Sequence, residues 1–324
     1  MLVSVLLFAV GLVLLIKGGD WFVDGAVGIA KRFNLPDIVV GATVVSIGTT
    51  LPEVMVSTTG ALAGSGAMAY GNAIGSIICN TALIAAISIT CNPGPVNVKS
   101  MKTPAIFFFC SAALYCLAAY LLGTFPRWMG FVMLAIFVAY TLLTVRNGLK
   151  NPDAVEEEEE EGGKPKKLWQ ELLLLVIGAA VIAVGADLLV DHGQIIAIDL
   201  GVPETVVALL FVALGTSLPE LVTTITSLKK GRASLGVGNV IGANVFNLVL
   251  VSGVAVSLAP FDVPVENTLL NTGLNLSLVF DIPVMLGVMS LMIFPALLGK
   301  KLSRWQGVVL LCIYAAFCVC QFVL

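Results

Sequence analysis

The sequence predicts an all-α polytopic membrane protein of ten transmembrane helices, arranged as two inverted-topology repeats of five. Three observations predict it: a strongly apolar composition, lysines and arginines confined to alternate connecting segments, and a chain that repeats itself at long range.

Of 324 residues, 58% are hydrophobic and 11% charged, with a mean hydropathy of +1.03. A soluble domain carries roughly 25% charged residues, so this chain is solvated mainly by lipid. About 20 apolar residues span a bilayer core as a helix. Such segments fall near 2–30, 37–62, 70–90, 103–122, 128–145, 168–197, 204–227, 235–257, 276–298 and 305–323. The first and sixth exceed the required length, which predicts tilt or extension beyond the bilayer. The first also lacks a charged segment before it and a small-residue cleavage site after it, so it reads as a span and not as a signal peptide.

With the N-terminus outside, every lysine and arginine except Arg127 and Lys17 falls in a cytoplasmic segment or at a cytoplasmic helix end. That split predicts external N- and C-termini in a plasma or inner membrane. The seven cysteines, at 79, 91, 110, 116, 312, 318 and 320, are odd in number and lack framework spacing. They read as small packing residues. No basic stretch interleaved with aromatics points to nucleic acid as a partner. The lipid bilayer is the expected surrounding, and oligomeric state is not legible.

Displaced by 167 positions, the chain matches itself without gaps. Asp20 falls on Asp187, Asp24 on Asp191, and Pro36 on Pro203. Gly48-Thr49 meets Gly215-Thr216, Leu51-Pro52-Glu53 meets Leu218-Pro219-Glu220, and Gly71-Asn72 meets Gly238-Asn239. Gly75 meets Gly242 and Asn80 meets Asn247. Polar residues and prolines recurring in register mark an internal duplication. Five spans per unit is an odd number, so the second copy enters the membrane from the opposite side. Inverted repeats are the mark of secondary transporters, whose sites lie at the repeat interface. The units are 1–146 and 168–324, joined by a cytoplasmic acidic linker, 147–167. The run Glu156 to Glu161 in that linker could be offered as a cation site. Repelling like charges fix no ligand geometry, so it reads as a solvated connection.

VSIGTTLPEVMVS, residues 45–57, places proline, glutamate and threonines in the middle of the second span. Pro52 has no N–H to give the Gly48 carbonyl, so the turn opens. Irregular backbone is tolerated in a membrane where it lines a cavity. Thr49 and Glu53 are four apart and share a helix face, with Thr50 beside them. One carboxylate, hydroxyls and loosened carbonyls make an all-oxygen shell for a hard cation such as Ca2+ or Na+. VALGTSLPELVTT, residues 212–224, repeats the device with Thr216, Ser217, Pro219 and Glu220. An ionised, unpaired carboxylate in a membrane costs at least ~3 kcal/mol, which marks both glutamates as functional. Two protonated acids holding helices together would leave the paired prolines unexplained.

GNAIGSIICN (71–80) and GNVIGANVFN (238–247) follow. Their glycines at 71, 75, 238 and 242 share helix faces and let another helix come close. Ser76 with Asn80, and Ala243 with Asn247, are four apart, so neutral oxygens can face the same cavity.

Together these motifs resemble the two alpha-repeats of the cation/Ca2+ antiporter superfamily, the sodium/calcium exchangers of prokaryotic type. The resemblance implies Ca2+ exchanged against Na+ by alternating access, with these transported ions as the only ligands and no organic cofactor. Position by position, it implies Glu53 and Glu220 as the central acidic ligands, and Thr49 and Thr216 as donors of backbone carbonyls. It gives Thr50, Ser217, Ser76 and Asn80 side-chain roles around the ions. Asn247 stands where many members carry aspartate, and Ala243 where many carry serine. The pocket then has one charge and one hydroxyl fewer, which leaves the coupled ions open. H+ or K+ could take part, and a proton-coupled Ca2+ antiporter and a cation channel are the alternatives.

Asp20, Asp24, Asp187 and Asp191 recur at a spacing of four. No second motif supports an aspartyl protease, so they are expected at helix ends or bracing the repeat interface, with Lys17 or Arg32 as partners. His192 is the only histidine, in a different span from the GTSLPE hydroxyls, and supports no nucleophilic enzyme. Asp281, at the start of the ninth span, is expected at the interface.

Overall fold

Apolar runs become helices in lipid because each backbone N–H and C=O must find its partner inside the segment. The computed structural model of the protein describes residues 2–150, 167–200, 215–264 and 275–323. Its first half comprises α1 (Leu2–Phe33), α2 (Asp37–Thr49), α3 (Leu51–Leu62), α4 (Gly66–Cys91), α5 (Val98–Leu122) and α6 (Arg127–Leu149). The second comprises α7 (Leu168–Asp199), α8 (Leu218–Lys229), α9 (Ala233–Leu258), α10 (Ser277–Gly299) and α11 (Arg304–Val323).

Among the described residues 8 helices are long and apolar enough to cross a membrane, and α2 and α3, bent by 45° at the break between them, are long and apolar enough only when taken together. The bend falls at Thr50, just before Pro52, where the sequence predicts an opened turn. Of the predicted seventh span, 204–227, the part before Gly215 lies outside the described residues.

The pair α1 and α7 packs through matched glycines. A methyl group on Gly11 would sit 2.9 Å from the Gly185 carbonyl oxygen, and one on Gly185 would sit 2.9 Å from that of Gly11. Gly18 and Gly25 meet Gly178 and Glu171 in the same way. Residue numbers rise along one helix as they fall along the other, so the pair is antiparallel. Small residues let the backbones approach, which is how helices associate without a hydrophobic drive between them.

Two short antiparallel strand pairs tie the halves together. Gly94–Pro95 (β1) pairs with Lys301–Leu302 (β4), and Thr124–Phe125 (β2) pairs with Phe261–Asp262 (β3). Each pair joins a loop of one half to a loop of the other.

Several crossings contain a π-helical turn, a feature that sequence periodicity does not reveal. Those at Asn80–Ala85 in α4 and Asn247–Val251 in α9 begin at repeat-equivalent asparagines. The helix α3 packs against the second of these turns and α8 against the first, so each motif faces the other half.

Candidate functional site

Glu53 and Glu220, in the first turns of α3 and α8, are both fully buried. They are close enough for their charges to repel, and the hydroxyls of Thr49 and Thr50 lie beside Glu220. Thr50, Ser217, Asn80 and Asn247 are buried to within 1% of complete exclusion from solvent. Ser76 is buried as well, while Thr216 is half-buried.

Six of these side chains leave their polar atoms without hydrogen-bond partners. Both carboxylate oxygens of Glu53 and of Glu220 make no hydrogen bond, nor do the hydroxyls of Thr50 and Ser217 or the amides of Asn80 and Asn247. They form three repeat-equivalent pairs: Thr50 with Ser217, Glu53 with Glu220, Asn80 with Asn247. A buried polar group without a partner costs about 1–3 kcal/mol, and more when charged. Such a concentration of them in a membrane interior fits a ligand that satisfies all of them together. Oxygen donors of mixed charge suit a hard cation.

The threonine hydroxyls at 49 and 216 are engaged elsewhere. Thr49 Oγ1 donates to Asn239 Oδ1 at 3.1 Å, and Thr216 Oγ1 donates to Asn72 Oδ1 at 3.4 Å. Each contact crosses from one half to the other. Asn239 Nδ2 in turn donates to Thr223 Oγ1 at 2.9 Å, and Thr223 Oγ1 donates to the Pro219 carbonyl at 2.7 Å. Asn72 Nδ2 donates to Ser57 Oγ at 2.9 Å and reaches the Glu53 carbonyl at 3.3 Å. Each asparagine thus holds the motif threonine of the opposite half and the acid-bearing helix of its own. Sequence reasoning did not select Asn72 and Asn239 as site residues. Their recurrence in register was the available signal.

The glycine stripe divides. A methyl group on Gly238 would fall 2.3 Å from the Ile38 carbonyl oxygen, and one on Gly242 would fall 2.3 Å from Ser46 Oγ, so α9 needs both to approach α2. Gly71 and Gly75 meet nothing within 4 Å among the described residues. The positions equivalent to Ile38 and Ser46, 205 and 213, lie outside the described residues.

The expected partners of the aspartates need correction. Lys230 Nζ lies 2.6 Å from Asp24 Oδ1 and 3.8 Å from Asp20 Oδ1. Arg32 pairs with Glu171 instead, at 2.8 Å, because the antiparallel packing of α1 and α7 brings those two ends together. Asp281 lies half-buried near the start of α10, at the end of its π-helical turn, and accepts a hydrogen bond from Gln321 Nε2 at 2.7 Å. Half-buried His192, in a different helix from the motif hydroxyls, leaves its Nδ1 without a partner among the described residues. All seven cysteines are free.

The fold and the site define a polytopic α-helical membrane protein with two fully buried carboxylates, one from each half. Comparison with known proteins places it more closely. A sequence model of the sodium/calcium exchanger protein family matches residues 3–146 and 171–323, and the chain belongs to that family. It is 34% identical to an uncharacterized membrane protein of Methanocaldococcus jannaschii, over 95% of this chain and 94% of that one. It is 30% identical to the sodium/calcium exchanger MaX1 of Methanosarcina acetivorans, over 99% of both chains. Among solved structures, the sodium-calcium exchanger NCX_Mj soaked with zero Na+ and Ca2+ superposes with a TM-score of 0.79 at 30% identity, covering 99% of both chains.

Proposed function

We propose that this protein exchanges Ca2+ for Na+ by alternating access, removing Ca2+ from the cytoplasm. The observation that carries the reading is the set of three repeat-equivalent, buried, unpartnered pairs around Glu53 and Glu220. Two carboxylates balance one Ca2+. Thr50, Ser217, Ser76, Asn80 and Asn247 supply neutral oxygens, and Thr49 and Thr216 contribute through their carbonyls while their hydroxyls are held by asparagines. Among the described residues no three of His, Cys, Asp and Glu gather elsewhere as a metal centre. The acidic charge at the core is that of the two glutamates.

In this reading the chain crosses the membrane ten times, as two inverted repeats of five joined by the acidic linker 147–167. The antiparallel contact of the equivalent helices α1 and α7, and the reciprocal strand pairs, support that symmetry. The lysine and arginine distribution supports external N- and C-termini in a plasma or inner membrane.

The test is Ca2+ uptake into proteoliposomes with Na+, K+ and pH gradients imposed separately. Uptake that requires outward-directed Na+ is the expected result. Uptake driven by pH without Na+ would make the coupling ion H+, and flux needing no opposing gradient would make the protein a channel.

A further inference from the structure

The two faces of the α1–α7 pair meet the rest of the molecule differently. On the cytoplasmic side α1 lies directly on α8: a methyl group on Gly19 would sit 2.7 Å from Val222 Cγ1 and 2.9 Å from Thr226 Oγ1. On the external side the repeat-equivalent contact, α7 on α3, is replaced by space. A cavity of about 750 Å³ reaches from Met55 of α3 to Ala183 of α7, and one of about 260 Å³ lies between Thr216 and Asp187 with Asp191.

The charges follow the same division. Lys230, at the end of α8, binds α1 through Asp24 Oδ1 at 2.6 Å and the Asp20 carbonyl at 3.0 Å. The position equivalent to Lys230 is Ala63, at the end of α3. Among the described residues no lysine or arginine pairs with Asp187 or Asp191, the equivalents of Asp20 and Asp24. The aspartates are duplicated and the lysine is not.

We propose that Lys230 is a one-sided latch: it holds α1 on α8 to close the cytoplasmic side, and its absence at position 63 biases the resting protein toward the outward-open state. The latch acts on access and touches no ion. It rests on the membrane orientation and alternating access proposed above. Partly exposed ion pairs are modest, so the population shift is expected to be about two- to fivefold.

The experiment measures labelling by a membrane-impermeant maleimide in cysteine-free protein that retains Na+-driven Ca2+ uptake. With Val222→Cys as the reporter, Lys230→Ala should raise cytoplasmic-side labelling about two- to fivefold, and Lys230→Arg should leave it unchanged. With Met55→Cys as the reporter, Ala63→Lys should lower external labelling by a similar factor, because it supplies Asp187 and Asp191 with the missing partner. Unchanged labelling in both Lys230→Ala and Ala63→Lys overturns the latch. A reporter that labels only from the unexpected side overturns the orientation instead, and the ratio with and without Lys230 still decides the latch.

Discussion

Thr49 with Asn239 and Thr216 with Asn72 are one contact made twice, once in each direction across the halves, yet their surroundings differ. Asn239 is fully buried and Thr49 nearly so, at 0% and 2% exposure. Asn72 and Thr216 are both half-buried. The bonds follow suit, at 3.1 Å in the buried copy and 3.4 Å in the other. Equivalent sequence therefore builds a sealed wall on one side of the acids and a wetter one on the other. The alternating access proposed above needs such a difference between the two copies of the repeated sequence, which would exchange surroundings in the opposite state.

The largest expected effect lies where the halves are most alike. Glu53→Gln and Glu220→Gln should each reduce Ca2+ uptake in proteoliposomes more than about tenfold, while thermal stability in detergent holds or rises, because an amide is easier to bury than a carboxylate. Near-normal flux in both variants would remove the acids from the mechanism.

The asparagines sharpen the contrast. Asn239→Ala strips partners from Thr49 and Thr223 in a dry setting and should cost about 1–3 kcal/mol of stability. Asn72→Ala, where water can replace the lost bonds, should cost under about 1 kcal/mol. Equal losses in thermal or denaturant unfolding would mean that the difference in burial has no energetic weight.

The smallest effect concerns the second half's departures from the fuller family pattern. With Asn247 and Ala243 the core holds two acids, and several Na+ must divide the charge that one Ca2+ takes whole. Asn247→Asp with Ala243→Ser should lower the Na+ concentration for half-maximal exchange about two- to tenfold, the upper value being about 1.4 kcal/mol. Both positions are fully buried, and the turn that begins at Asn247 packs against α3. Identical Na+ dependence in the two proteins would show that these positions do not set coupling.

Much of this was legible in the chain. Among the described residues, hydropathy placed the long helices to within about five residues, because lipid demands long uninterrupted apolar runs. The acids, prolines and polar positions stood out because each is costly in a membrane and recurs in register. The π-turns at Asn80 and Asn247 were not legible, since a single widened turn leaves the apolar pattern almost unchanged. Nor was Lys230 as the partner of Asp24. Lys17 and Arg32 are nearer along α1, but the packing of α8 and α7 against that helix decides who meets whom.

The strand pairs carry a consequence for the making of the protein. β1 meets β4 and β2 meets β3, so the register Gly94 to Leu302 closes only when nearly the whole chain exists. At about 5–20 residues per second, the roughly 200 residues between them take about 10–40 s to synthesise. During that interval the first half sits in the bilayer with its loop edges unpaired and the faces meant for α7 and α9 turned to lipid. The nascent chain must wait in the membrane, inserted but unassembled, until its second half arrives.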